Sequence, residues 1–177
     1  MTNKILVTFA SRTGTTAETA KVIGQVLKED GADVDVLPMQ EVKDLSPYQA
    51  VVAGSAIRAS HWLPEAIQFL RTHQAALRHK PFAMYTVCIT LAMSNAESYR
   101  KGVQSWTAPV RAIVPPLSEG LFAGMLDFKK LPLTLETLKL RATVAAGIFP
   151  RGDRRDWNAV RAWAESLKPM LRVPAGS

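Results

Sequence analysis

Hydrophobic positions along the chain alternate between two rhythms. Ile5–Phe9 (ILVTF) is an unbroken apolar run and reads as a strand buried on both faces. From Thr15 the period changes: Ala17, Ala20, Ile23, Val26 and Leu27 recur at three and four residues, the spacing of one helix face. Gly31, behind Lys28-Glu29-Asp30, suits the end of that helix. Ala32–Leu37 (ADVDVL) alternates as an edge strand does. A third strand at Ala50–Ala53 (AVVA) ends at Gly54-Ser55, and a second helix is expected over Pro64–Leu77. A fourth strand follows at Pro81–Val87, then a helix over Asn95–Ile113 that Pro109 kinks or ends early. A fifth strand is expected at Gly120–Met125. The last helix, Arg155–Leu171, has Trp157, Val160, Trp163, Ala164 and Leu167 on its apolar face and Asp153 as its expected N-cap.

Strands alternating with helices predict an α/β fold with a parallel sheet covered on both sides. Five strands in this length fit a doubly wound domain with strand order 2-1-3-4-5. Residues 1–172 are expected to form one domain, with 173–177 a frayed tail. One segment is extra to that plan. Residues 128–146, after the fifth strand, are too many for an ordinary connection. Phe128, Leu131, Leu135 and Leu138 form a helical stripe there, Leu133 and Leu140 widen it, and Lys129, Lys130, Lys139 and Arg141 flank it.

Composition adds little to the fold but locates the charge. The nine basic and nine acidic residues of 1–99 cancel, so 100–177 carries the whole net charge of +7. A basic half suits nucleic acid, an anionic membrane surface or an acidic partner, or serves solubility alone. No apolar run is long enough to span a membrane, and the N-terminus reads as a strand rather than a leader. The single cysteine, Cys88, cannot form an internal disulfide, which fits a cytoplasmic location.

Candidate chemistry begins at Ser11-Arg12-Thr13-Gly14-Thr15-Thr16, between the first strand and the first helix. Backbone N–H groups at a helix N-terminus lack internal partners and favour an anion. Four hydroxyls surround them, and Gly14 permits close backbone approach, so the loop suits a phosphate monoester; helix capping alone is the plainer reading. No Lys follows the glycine as in a Walker loop, and no Gly-x-Gly-x-x-Gly is present. A second loop, Gly54–Trp62, would wall the crevice between strands one and three. Its Ile57 and Trp62 offer flat apolar cover, the backbone of Ala56, Ile57, Arg58 and Ala59 offers hydrogen bonds, and Arg58 offers positive charge. Packing explains Trp62 equally well, and His61 reads equally as a solvated loop residue. A third loop, Cys88-Ile89-Thr90-Leu91, follows the fourth strand; Thr90 offers a donor, whereas Cys88 reads as a buried small hydrophobe. One Cys and three His offer no zinc spacing, and no G-x-S-x-G elbow occurs.

The pattern Ser/Thr-x-Thr-Gly-x-Thr, met by Ser11, Thr13, Gly14 and Thr16, resembles the FMN phosphate loop of flavodoxins. The stretch VVAGSAIRASHW resembles the bacterial menaquinone-dependent protoporphyrinogen IX dehydrogenase family and its flavodoxin-domain relatives. So does the Gly152-Asp153-Arg154-Arg155-Asp156-Trp157 segment before a Trp-containing helix, and the insertion matches in place and character. The resemblance implies a flavodoxin-like fold and FMN as cofactor. Its implied cofactor contacts are residues 11–16, Ala56 to Ala59, His61, Trp62 and Cys88 to Leu91. It further implies electron transfer from a porphyrinogen to a quinone, beside the inner face of the cell membrane. The basic, leucine-rich insertion would then lie on anionic lipid; a lid packed on the sheet is the other reading. A flavodoxin-type carrier and a general quinone reductase remain open as alternatives, no nucleic-acid role is expected, and the oligomeric state is left open.

Overall fold

The computed structural model describes residues 4–93, 96–125, 129, 133–147 and 153–172. Five parallel strands build the sheet: β1 (Lys4–Ala10), β2 (Asp33–Pro38), β3 (Ala50–Arg58), β5 (Phe82–Cys88) and β6 (Ser118–Ala123), in the order β2-β1-β3-β5-β6. A two-residue strand, β4 (His61–Trp62), pairs antiparallel with the end of β3. The five long strands reproduce the expected doubly wound order; β4 is the addition. Register places Phe9 beside Gly54 and Gly54 beside Tyr85, so the strand ends that carry loops are level with one another.

Helices cover both faces because each has one apolar stripe to bury. On one face α1 (Thr15–Lys28) and α7 (Trp157–Leu171) enclose Ile23, Leu27, Val52, Tyr85, Val160 and Leu167. On the other, α2 (Pro64–Thr72), α3 (Gln74–Leu77) and α5 (Ala108–Ile113) pack over Leu6, Val51, Leu70, Phe82 and Val110. The remaining helices are α4 (Ala96–Trp106) and α6 (Leu135–Ala145).

Several boundaries differ from the expected ones, each for a local reason. The helix expected over 64–77 has a one-residue break at His73. The helix expected over Asn95–Ile113 (Asn95 itself lies outside the described residues) breaks at Thr107 and restarts as α5, with Pro109 as its second residue. Proline has no N–H to donate to the carbonyl of Ser105, and its ring clashes there. The break is pinned: buried Thr107 donates its hydroxyl to Glu119 Oε1 at 2.8 Å, and Arg111 Nη1 meets Glu119 Oε2 at 2.8 Å. Asp156, not Asp153, caps α7, accepting from Ala159 N at 2.9 Å. Asp153 instead grips Arg155. The fifth long strand starts at Ser118 and ends at Ala123, releasing Gly124 and Met125 to a loop.

The largest correction concerns Gly54–Trp62. The third strand does not stop at Gly54; it runs on to Arg58, turns through Ala59 (φ 48°) and Ser60 (φ 64°), and returns as β4. Gly54 is therefore a strand residue. A Cβ there would lie 1.9 Å from Cζ of the fully buried Tyr85 ring, so the strand passes over that ring only because the position is glycine.

Candidate functional site

The carboxyl ends of β1, β3, β5 and β6 open onto a cleft of about 260 Å3. Its floor is the loop into α1. Gly14 takes a left-handed conformation (φ 91°), which turns the chain directly into the helix, and its N–H donates to Ser11 Oγ at 3.0 Å. The first turn of α1 then presents backbone N–H groups without helical acceptors. Thr15 Oγ1 bonds the Met125 carbonyl at 3.5 Å. Thr16 lines the cleft, is 1% exposed, and its hydroxyl has no hydrogen-bond partner. Among the described residues one other buried side-chain oxygen shares that state, Thr8 Oγ1 in β1, which is not part of the cleft.

Of the loop residues singled out in the sequence, Arg12, Thr13, Thr15 and Thr16 line the cleft; Ser11 and Gly14 shape the turn beneath it. Arg12 is held by both oxygens of Glu65 in the first turn of α2, at 2.5 and 3.0 Å. From the end of β3, Ala56, Ile57 and Arg58 form the facing wall. Ala59 occupies the hairpin turn. His61 and Trp62 line a separate groove; Trp62 is 2% exposed, with its indole N–H donating to Thr86 Oγ1 at 2.9 Å. Of the third loop, Ile89 reaches the cleft, while Cys88 and Leu91 are buried in a cluster with Val103 and Leu121. Half-buried Thr90 accepts from Cys88 Sγ at 3.3 Å.

Six lining residues were not singled out as cofactor contacts: Leu63, Val87, Gly124, Met125, Thr137 and Leu140. The first four follow strand register, which periodicity does not supply. Thr137 and Leu140 come from α6, inside the inserted segment. That helix turns Thr137, Leu140 and buried Val144 inward and leaves Leu135 and Leu138 exposed, as is Leu133 just before its N-cap Thr134. Phe128 and Leu131, the start of the expected stripe, and the flanking Lys130 lie outside the described residues.

A second charged cluster stands at the α1 end of this site. Arg155 Nε donates to Asp153 Oδ1 at 2.7 Å, its guanidinium also pairs with Glu18 in the first turn of α1, and it lies 4.5 Å from the Trp157 ring. The hydrogen bond from Arg155 holds the Asp153 carboxyl below its ordinary pKa.

Comparison with known proteins agrees with this architecture. The family model described as a flavodoxin domain matches residues 6–142. Protoporphyrinogen IX dehydrogenase [quinone] of Escherichia coli K12 is 33% identical over 86 residues, which is 48% of this chain and 48% of the relative. The chain thus matches about half the length of its curated relatives. Among solved structures, a single-site mutant of Pseudomonas aeruginosa flavodoxin aligns over 95% of this chain and 98% of its own, with TM-score 0.60 and 11% identity. A Fusobacterium nucleatum flavodoxin mutant bound to flavin mononucleotide aligns over 96% and 97%, with TM-score 0.56 and 14% identity. No helix among the described residues is long and apolar enough to cross a membrane. With the sheet order, the hydroxyl-rich turn into α1 and a family match over most of its length, this chain belongs to the flavodoxin domain family.

Proposed function

We propose that the cleft binds FMN, phosphate on the Ser11–Thr16 loop, and that the protein is a flavin oxidoreductase that takes electrons from protoporphyrinogen IX and passes them to a quinone. The observation that carries the cofactor assignment is the Thr16 hydroxyl: a buried donor without a partner, at a helix N-terminus, is costly until an anion accepts from it. The residues present fit the group. Thr13, Thr15 and Thr16 supply hydroxyls, and the first turn of α1 supplies N–H groups. Ile57, Leu63, Val87 and Leu140 give the cleft apolar walls that exclude water, and Arg58 brings positive charge to its rim. FMN, when bound, supplies reversible electron acceptance in steps of one or two; the protein's share is orientation, desolvation and charge.

The donor and acceptor are those of the Escherichia coli protoporphyrinogen IX dehydrogenase [quinone] that this chain matches over about half its length. The exposed leucines of α6, beside Lys139 and Arg141, are proposed to meet anionic lipid at the inner face of the membrane, where quinones reside. Oligomeric state forms no part of the proposal. The test is the visible spectrum of the purified full chain after FMN addition and desalting, followed by protoporphyrinogen IX oxidation with menadione as acceptor. A yellow protein that forms protoporphyrin IX bears the proposal out. A colourless protein that takes up no FMN overturns it; a yellow one inert toward protoporphyrinogen overturns the substrate alone.

A further inference from the structure

Behind the β3–β4 hairpin lies a second, larger groove of about 620 Å3, bounded by α2, β4 and the α4–α5 junction. Its walls are apolar: Ile67, Pro109 and Ile113, with Trp106 and the edge of the buried Trp62 as the two indoles. Its polar groups gather on one side. Gln68, Arg71 and Thr72 stand at i, i+3 and i+4 on α2, one face of that helix, and His61 projects from β4. No Asp or Glu is among its described lining residues. The one acid of α2, Glu65, is committed to Arg12 at the FMN cleft.

The groove is a built feature. The break at Thr107 sets Trp106 and Pro109 at an angle, and the Thr107–Glu119–Arg111 contacts fix that break. Trp62 is locked by its bond to Thr86. Apolar walls that include an indole, with donors on one side and no carboxylate, complement a ligand with an apolar ring body and an anionic edge. We infer that this groove is a second ligand site, taking an aromatic or conjugated carboxylate or comparable organic anion. The site rests on its own lining and not on the flavin reading. It is nevertheless adjacent: Ile57 and Arg58, which wall the cleft, pair across the hairpin with Trp62 and His61, which line the groove.

The test is a fluorescence titration of the full chain with two probes, anionic 1-anilinonaphthalene-8-sulfonate and neutral N-phenyl-1-naphthylamine. Arg71→Glu is expected to weaken the anionic probe roughly tenfold and the neutral probe less than about twofold. Trp106→Ala is expected to weaken both roughly tenfold, through lost aromatic contact. Leu140→Ala, on the FMN cleft, leaves both unchanged. Arg71 is exposed on α2, so its variant keeps the test open even if Trp106→Ala fails to fold. The inference is overturned if the anionic probe does not bind, if Arg71→Glu leaves its affinity unchanged, or if Leu140→Ala rather than the groove variants releases it.

Discussion

Thr16→Val separates a binding role from a structural one, because the two predict opposite signs. Valine matches threonine in shape and branching, so packing and helix propensity change little. The substitution removes a hydroxyl that the fold buries without a partner. An unsatisfied buried polar group costs about 1–3 kcal/mol, so the FMN-free protein should gain stability, on the order of 1 kcal/mol. At roughly 2–4 °C per kcal/mol for a chain of this size, the melting temperature should rise by about 2–4 °C. In the FMN complex the same hydroxyl would donate to a phosphate oxygen, a charge-assisted bond worth about 1.5–3 kcal/mol. The variant should therefore bind FMN roughly 10- to 100-fold more weakly. Urea unfolding of the FMN-free protein and calorimetric titration with FMN measure the two halves. A variant less stable than the parent would show that the hydroxyl has a structural partner. Unchanged FMN affinity would show that the phosphate does not sit there.

Gly54→Ala should cost about 3 kcal/mol or more in urea unfolding, since its Cβ meets the immobile Tyr85 ring at 1.9 Å; a loss under about 1 kcal/mol would refute that contact. The loss should shrink in a Tyr85→Leu background, which removes the ring. Asp153 is held below its ordinary carboxyl value of 3.8 chiefly by Arg155, so its stabilising share is complete above that value and drains as pH falls through the lower folded one. Asp153→Asn should accordingly flatten the acid limb of a stability–pH profile while lowering stability at neutral pH; an unchanged acid limb would contradict it. Replacing Leu133, Leu135 and Leu138 together with Ser should reduce binding to phosphatidylglycerol vesicles without affecting FMN uptake, and unaltered vesicle binding would remove the lipid role from α6.

The sheet was legible because β2 alternates as only a strand does, and β1 and β5 are apolar runs too short for a buried helix and rich in β-branched and aromatic residues. The turn at Gly14 was legible too, since a glycine among hydroxyl residues between a strand and a helix marks a helix start, and Thr16 behind it lines the cleft. The hairpin was not. Gly54, Ser55 and Ala56 have low strand propensity and read as a loop, yet Phe9 and Ala10 on one side and Tyr85 and Thr86 on the other hold them extended. Trp62 illustrates a related limit. Its residue type suits stacking on a flavin, but cross-strand pairing with Ile57 and the bond to Thr86 set it on the other side of the ribbon. Thr137 and Leu140 reach the cleft from an insertion whose periodicity says only that it has an apolar face, not what that face meets.

The packing of α7 against α1 also has a consequence in time. Glu18 and Arg155 are 137 positions apart, and the aromatic group of Tyr85, Phe122 and Trp163 joins β5 and β6 to the same late helix. During synthesis every strand emerges before the helix that shields half of one sheet face. Until α7 arrives, Tyr85 and Val160's future neighbours lie open to water and to other chains. Contacts of such wide separation slow folding and lengthen that exposure. The turn into α1 is made early, but its helix gains its final neighbour last, so the proposed phosphate site is expected to mature after the sheet has formed.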